Sequence, residues 1–114
     1  MVGAAPGGPL LAALRLLTED PQIWPDSDSV RATYVHGLMV DRSASGQGLG
    51  AHLLAWAESR ASDHHHTCVR LDCVSTNHRL RAYYEQRGYH PRGQATFGPG
   101  CTWHPVTRYE KPLP

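Results

Sequence analysis

A glycine-rich turn between an apolar run and an amphipathic run constrains the fold more than any other feature of this chain. The apolar run covers residues 34–40, and the amphipathic run covers residues 48–62. Between them, glycine recurs at alternate positions, which are 46, 48 and 50. This pattern predicts a strand that turns into a helix. Because glycine has no Cβ, the backbone N–H groups of the turn and of the helix N-terminus are accessible to an anion such as a phosphate.

The same turn could instead be purely structural, or it could belong to a nucleotide-binding motif. A glycine-rich turn also forms where a strand reverses tightly into a helix without any ligand. The segment lacks the Gly-Lys-Ser/Thr ending of a nucleotide-binding P-loop, and its spacing does not match Gly-x-Gly-x-x-Gly. The sequence therefore disfavours a nucleoside triphosphate or a dinucleotide as the anion.

Three segments together resemble the GNAT family of N-acetyltransferases. They read YVHGLMV (34–40), SGQGLG (45–50) and NHRLRAYYEQRGY (77–89). The family's pyrophosphate-binding pattern, Arg/Gln-x-x-Gly-x-Gly/Ala, falls on residues 45–50, with Ser45 where Arg or Gln is usual. Its later pattern, an Asn followed by Tyr-Glu-x-x-Gly-Phe/Tyr, matches Asn77 and Tyr84. The resemblance implies a mixed α/β (α+β) fold with a central, mostly antiparallel sheet and two core helices.

The resemblance also implies a reaction and a co-substrate. It implies transfer of an acetyl group from acetyl-coenzyme A to a primary amine of a small molecule, with no metal. The pantetheine arm would run along the strand at 38–40, where a backbone amide of Met39 or Val40 could polarise the thioester carbonyl. A non-catalytic coenzyme A-binding or interaction module on the same fold is the alternative. The implied coenzyme contacts are Leu38, Met39, Val40, Ser45, Gly46, Gln47, Gly48, Leu49, Gly50, Asn77 and Tyr84.

Two residues are candidates for proton transfer. Tyr84 matches the family position of the general acid, and a phenol with an ordinary pKa of about 10 is protonated at neutral pH. Without the family match, a tyrosine in a Tyr-Tyr pair more often packs in the core. His36 is the candidate general base, because histidine has an ordinary pKa of about 6.5, although a histidine on a buried strand is often a core residue. Asp72, Glu19 or a chain of water molecules are alternative bases.

Composition restricts the cellular compartment in which the protein is expected and the classes of partner that it is expected to bind. The 114 residues are 40% hydrophobic and 18% charged, which predicts one domain over residues 1–114. A net charge of +1 argues against general binding of nucleic acid or of an anionic membrane. No apolar run approaches the roughly 20 residues of a membrane span, and the N-terminus lacks the charged region of a secretory signal. With three cysteines, an odd number, we expect reduced thiols and a cytoplasmic protein.

Three consecutive histidines, residues 64–66, lie two positions before Cys68. Histidine and cysteine are both zinc ligands, so the tract admits a metal site. Consecutive side chains project in different directions, however, and no second cluster with ligand spacing completes a tetrahedral shell. We therefore expect a solvated loop between a helix and a strand.

The other elements follow from periodicity, from turn signals and from the resemblance together. Residues 8–18 could form a helix by propensity, but Gly7-Gly8-Pro9 indicates a hairpin turn and favours a strand. Residues 31–40 predict a strand buried on both faces. Asn77 is expected to open the second helix, and Gly88 to close it in the left-handed conformation. Strands are predicted over 2–4, 8–18, 31–40, 67–74, 90–97 and 104–111, helices over 48–62 and 78–87, and a loop over 19–29.

The first residues of the chain suggest how it associates. Members of the family usually begin with a strand and two helices ahead of the first hairpin, whereas seven residues precede Gly8 here. In the family, those elements form one wall of the groove that binds the acceptor substrate. The resemblance therefore supplies no counterpart for that wall. Because uncovered edges and apolar faces recruit partners, we expect a homo-oligomer or a partner chain.

Overall fold

A computed structural model describes residues 2–4, 10–25, 30–40, 48–100 and 104–114. The predicted hairpin turn at 7–9 and most of the glycine-rich turn, residues 41–47, lie outside these ranges. No helix in the described ranges combines the length and the apolar character needed to cross a membrane. The elements, in chain order, are β1 (Val2–Ala4), β2 (Leu10–Leu17), β3 (Ala32–Val40), α1 (Leu49–Asp63), β4 (Cys68–Val74), α2 (His78–Gln86), β5 (His90–Ala95) and β6 (Val106–Pro112).

The strands form one six-stranded sheet in the order β1-β2-β3-β4-β6-β5. All neighbouring pairs are antiparallel except β3 and β4, which are parallel and are joined by α1 as a crossover. The predicted fold class, a mixed α/β (α+β) domain with a mostly antiparallel sheet and two helices, is confirmed. Residues 10–17 are a strand, so the strand interpretation of that segment is also correct.

Both helices contribute to a core on one face of the sheet, which we call the helix side. The amphipathic run predicted over 48–62 forms α1, and Leu53, Leu54 and Ala57 on its apolar face are all buried in this core. The strand β4 presents alternate residues to the same core, as its alternation predicts. These residues are Val69, Leu71 and Cys73.

The opposite face of the sheet has a smaller core, which we call the loop side. After β2 the chain turns across this face, and Ile23 and Trp24 pack there against β3 and β4. The predicted loop is confirmed over residues 19–25; residues 26–29 lie outside the described part of the chain. Arg70 is buried on this side and donates hydrogen bonds to Tyr34 Oη at 3.0 Å and to Glu110 Oε1 at 2.8 Å.

The ends of α2 follow their predicted signals. Asn77 caps α2, since its Oδ1 accepts a hydrogen bond from the Leu80 N–H at 3.1 Å. Gly88 has a φ of 89° just after α2, as expected for a left-handed cap. The histidine tract at 64–66 forms the turn between α1 and β4, and its N–H groups donate to carbonyls of the last helical turn. The loop interpretation of this tract is therefore confirmed.

Candidate active site

The parallel strands β3 and β4 separate early, and this separation opens a gap in the sheet. They pair only over Ala32↔Cys68, Thr33↔Val69 and Tyr34↔Arg70. No further pair between them follows among the described residues, although β3 runs on to Val40 and β4 to Val74. Backbone N–H and C=O groups point alternately to the two edges of a strand, so part of β3 beyond Tyr34 presents hydrogen-bonding groups to the gap. An extended ligand can bind such an edge as an added strand.

A β-bulge lies in β3 beside the gap. Arg15 pairs with His36 and Ala13 with Met39, so three steps along β3 match two steps along β2. Gly37 has a φ of 67°, a conformation that favours glycine. The extra residue changes which side chains face which core, because Leu38 packs on the helix side, as Val35 does.

The expected burial of β3 on both faces is correct only for its first half. Residues 32–35 are buried, whereas His36 and Leu38 are half-buried and Met39 is 56% exposed. The physical reason is the separation of the strands, which removes β4 as a neighbour after Tyr34. The predicted contact residues Leu38, Met39 and Val40 therefore lie along the open part of this strand; for Val40 only the backbone is described.

The N-terminus of α1 follows β3 along the chain. It includes the last part of the glycine-rich turn, which is the part that the structure describes. Gly48 is the residue before the helix, with a φ of 74°, and a Cβ added to it would meet nothing within 4 Å. The helix begins at Leu49 rather than at 48, and its first turn carries no acidic side chain. Open space, unshielded N–H groups and the positive end of the helix dipole suit an anion. Of the predicted contacts, Gly48, Leu49 and Gly50 lie here, whereas Ser45, Gly46 and Gln47 are outside the described residues.

Tyr84 lies in the helix-side core, 4% exposed. Its ring packs against those of Tyr83, Tyr89 and Tyr109, with centroids 5.8 to 6.0 Å apart. Burial, and then the nearby Cys73 and Asp72, raise the pKa of its hydroxyl well above the ordinary value. The phenol therefore keeps its proton throughout the physiological pH range.

His36 lies on the loop side with two carboxylates. Its Nδ1 is 3.7 Å from Asp20 Oδ2, and Asp72 completes a group whose potential ligand atoms all lie within 4.8 Å of one another. Burial, and then the charge of Asp20, raise the pKa of Asp72. Glu19 is exposed and is not part of this group. Of the alternative bases named from the sequence, Asp72 is thus beside His36 and Glu19 is not.

Sequence reasoning missed Asp20. Nothing in the spacing of Asp20 and His36 marks them as a pair, because 15 residues separate them. The usable signal was topological: a loop that follows β2 must leave the sheet beside β3, since the two strands are neighbours. Within the described residues, Asp20, His36 and Asp72 are the one group that could offer three ligand atoms to a metal ion.

The gap brings the two candidate proton-transfer residues to one region from opposite faces of the sheet. Beyond the last β3–β4 pair, Asp72 projects to the loop side with His36, and Cys73 projects to the helix side near Tyr84. His36 and Tyr84 therefore lie on opposite faces of the sheet, each near a residue of β4 that follows the last pair with β3. This arrangement suits acyl transfer, in which one proton is taken from the nucleophile and another is given to the leaving group.

Comparison with known proteins identifies the family to which this chain is similar. The model of the Acetyltransferase (GNAT) family matches residues 2–89. An uncharacterized N-acetyltransferase, YesJ of Bacillus subtilis (strain 168), is 37% identical over an alignment of 93 residues, and the match covers 77% of this chain and 52% of that protein. The chain thus spans about half the length of this curated relative.

Solved structures share the fold. A GNAT-family acetyltransferase from Listeria monocytogenes superimposes with a TM-score of 0.73 and 27% identity, over 94% of this chain and 60% of that chain. A Bacillus subtilis acetyltransferase in complex with CoA has a TM-score of 0.74 and 16% identity, over 99% of this chain and 75% of that chain. The glycine-rich turn, the separated parallel strands and the family match agree, and the chain belongs to the GNAT family of acetyltransferases.

Proposed function

We propose that this chain binds acetyl-coenzyme A in the gap between β3 and β4 and transfers the acetyl group to a primary amine of a small molecule. The observation that carries this proposal is the end of the β3–β4 ladder after Tyr34, followed along the chain by the open N-terminus of α1. Family membership supports the reaction class. The CoA complex of the Bacillus subtilis acetyltransferase supports the choice of coenzyme.

The backbone around the gap fits the coenzyme. The pyrophosphate would accept hydrogen bonds from N–H groups at Gly48, Leu49 and Gly50, together with the preceding residues Ser45, Gly46 and Gln47. The pantetheine arm would lie along Leu38, Met39 and Val40 as an added strand. An N–H group just after the bulge, at Met39 or Val40, would then donate to the thioester oxygen and stabilise the charge that develops on it.

Proton transfer would involve groups on both sides of the gap. The amine nitrogen attacks the thioester carbon, the C–S bond breaks, and the amine proton passes to the imidazole of His36. Tyr84 would donate a hydrogen bond to the departing thiolate. Because burial raises the pKa of Tyr84, complete transfer of its proton to a thiolate is uphill, so its first contribution is to stabilise the negative sulfur by that hydrogen bond.

Asn77 has a divided role in this proposal. Its Oδ1 accepts the hydrogen bond that caps α2, and its amide Nδ2 would donate a hydrogen bond to the coenzyme. The proposal includes no catalytic metal, and chelation with EDTA should leave turnover unchanged.

One observation favours the alternative, a coenzyme A-binding module without turnover. Tyr84 is 4% exposed, so the proposed acid has little access to solvent or to a ligand. We further propose that residues 1–114 act as one domain and that the protein works in the cytoplasm, where its buried free thiols Cys68 and Cys73 stay reduced.

Two measurements on the wild-type chain test the proposal. Titration calorimetry with acetyl-coenzyme A should show binding, and release of free coenzyme A in the presence of a panel of primary amines should show turnover. Absence of binding would overturn the proposed site. Binding without turnover for every amine would leave the non-catalytic module as the better account.

A further inference from the structure

We propose that Asp20 is a positioning residue that orients the His36 imidazole so that Nε2 is its proton-accepting atom. This inference rests on the proposed function, in which His36 is the general base. It adds a residue from outside all three segments that resemble the family.

The contact between the two side chains is directional. Asp20 Oδ2 faces Nδ1 of His36 at 3.7 Å, an ion-pair distance that is longer than a direct hydrogen bond. Such contacts in catalytic sites often shorten when the substrate binds. The Asp20 side chain is 12% exposed and that of His36 is 39% exposed, so the carboxylate is covered while the imidazole stays accessible.

The backbone holds Asp20 in this place. Its carbonyl oxygen accepts hydrogen bonds from the N–H groups of Ile23, at 3.2 Å, and Trp24, at 2.7 Å, which closes a turn. Both of those side chains are buried in the loop-side core. The turn is thus anchored by apolar packing, which holds the Asp20 backbone beside β3.

The charges around His36 favour one tautomer. Asp20 faces Nδ1, and Asp72 is the second carboxylate of the group. Arg15 is the register partner of His36 across β2 and β3, and Arg108 is that of Asp72 across β6 and β4. The Arg108 guanidinium stacks over the Trp24 ring and donates to the Arg92 carbonyl. A carboxylate at Nδ1 stabilises the neutral imidazole with its proton on that atom, which leaves the Nε2 lone pair free to accept a proton.

Nitrogen NMR on ¹⁵N-histidine-labelled protein tests this assignment without any substrate. At a pH at which His36 is neutral, the wild type should show the Nδ1–H tautomer, with the His36 signals identified by their loss in His36→Gln. In Asp20→Asn and in Asp20→Ala, the signals should shift toward the Nε2–H tautomer. The matched control is Glu19→Gln, which removes a neighbouring exposed charge and should leave the tautomer unchanged.

Three results would overturn the inference. The first is a wild-type His36 in the Nε2–H form, and the second is an unchanged tautomer in both Asp20 variants when their amide spectra show a folded protein. The third is a shift of the wild-type His36 signals on addition of EDTA, which would assign the three side chains to a metal ion instead.

Kinetics separate this inference from the proposed function. In an active wild type, Asp20→Asn should lower kcat by roughly tenfold to a hundredfold with little change in the KM for acetyl-coenzyme A, and Asp20→Glu should recover part of the loss. If the wild type shows the expected tautomer but transfers no acetyl group, the proposed function fails and the orientation by Asp20 stands. If the wild type is active and Asp20→Asn matches it in both kcat and tautomer, only the inference fails.

Discussion

At the scale of single residues, the candidate site depends on two kinds of position. At one kind the backbone N–H groups are accessible to a ligand, and at the other a side-chain hydroxyl is buried. Gly48 illustrates the first case and Tyr84 the second. A third kind of residue, Glu110, stabilises the sheet through a partly buried ion pair with Arg70. Each supports a prediction that one substitution can test.

Gly48→Val should lower the affinity for acetyl-coenzyme A by roughly tenfold or more, about 1.4 kcal/mol. A side chain at 48 enters the open space above the helix N-terminus, where the pyrophosphate is proposed to lie. Gly100→Val is the control for backbone strain, because Gly100 also has a positive φ and open space around it but lies in the loop between β5 and β6. Equal affinities for wild type and Gly48→Val, measured by titration calorimetry, would contradict the proposed site.

Tyr84→Phe should keep coenzyme binding and lower kcat on the order of 10²-fold, because it preserves the ring packing and removes only the hydroxyl donor. Tyr83→Phe is the control, since Tyr83 is the half-buried packing neighbour of Tyr84. Steady-state kinetics on both variants decide the matter. Wild-type turnover in Tyr84→Phe, with chemistry as the slow step, would rule out the donor role.

Glu110 makes the stability of the fold dependent on acid. Burial alone would raise the pKa of its carboxyl, but the hydrogen bond and charge of Arg70, with the charge of Arg92, lower it below the ordinary value of 4.5. The pair therefore stabilises the folded state above pH 4.5, and this contribution is lost as the pH falls through the lowered pKa. Glu110→Gln should cost about 2 kcal/mol at pH 7 and converge with the wild type in strong acid. Urea denaturation at several pH values measures the free energy of unfolding of the wild type and of the variant. A difference between them that does not change with pH would contradict this account.

At the scale of elements, the gap forms because two parallel strands, β3 and β4, pair over a short stretch and then separate. Hydrogen bonds to β2 continue along β3 past the point where the β4 ladder ends, so the strand stays in the sheet while its other edge has no strand partner in the described part of the chain. The bulge at Gly37 lies just after that point. Eight residues then connect the end of β3 to the start of α1, whose N-terminus therefore follows the C-terminal end of the strand.

Gly37→Val should destabilise the protein by roughly 1 to 2 kcal/mol, because a β-branched residue resists the positive φ of the bulge. A Cβ at this position meets nothing within 4 Å, so the cost comes from the backbone conformation and not from a clash. Coenzyme affinity should fall as well, since the N–H groups of Met39 and Val40 change direction. Gly98→Val, with an ordinary φ and open space, is the control for both measurements. Unchanged affinity would separate the bulge from the site.

At the scale of the whole molecule, the two edges of the sheet differ. The edge strand β5 carries Pro91 and Arg92 and is largely exposed, features that protect an edge from pairing with another chain. The other edge is β1, three residues long, whose one neighbour in the described sheet is β2. We therefore expect any association between chains to use the β1 edge.

Light scattering coupled to size exclusion should show a dimer or a larger species at micromolar concentration that dissociates on dilution. The physical reason is that an edge strand presents unpaired backbone groups that a second chain can complete. A monodisperse monomer at the same concentration would contradict the prediction. Coenzyme binding by that monomer would show in addition that the site does not need a partner.

Features set by neighbouring residues were determined by the sequence itself. The strand, turn and helix order around Gly48, the cap at Asn77, the left-handed Gly88 and the alternation of β4 all depend on local backbone preferences and periodicity, so they were predictable. Tertiary structure decided the rest. The end of the β3–β4 ladder, the burial of Tyr84 and the meeting of Asp20 with His36 depend on which distant segments pack together, and no local preference encodes that choice.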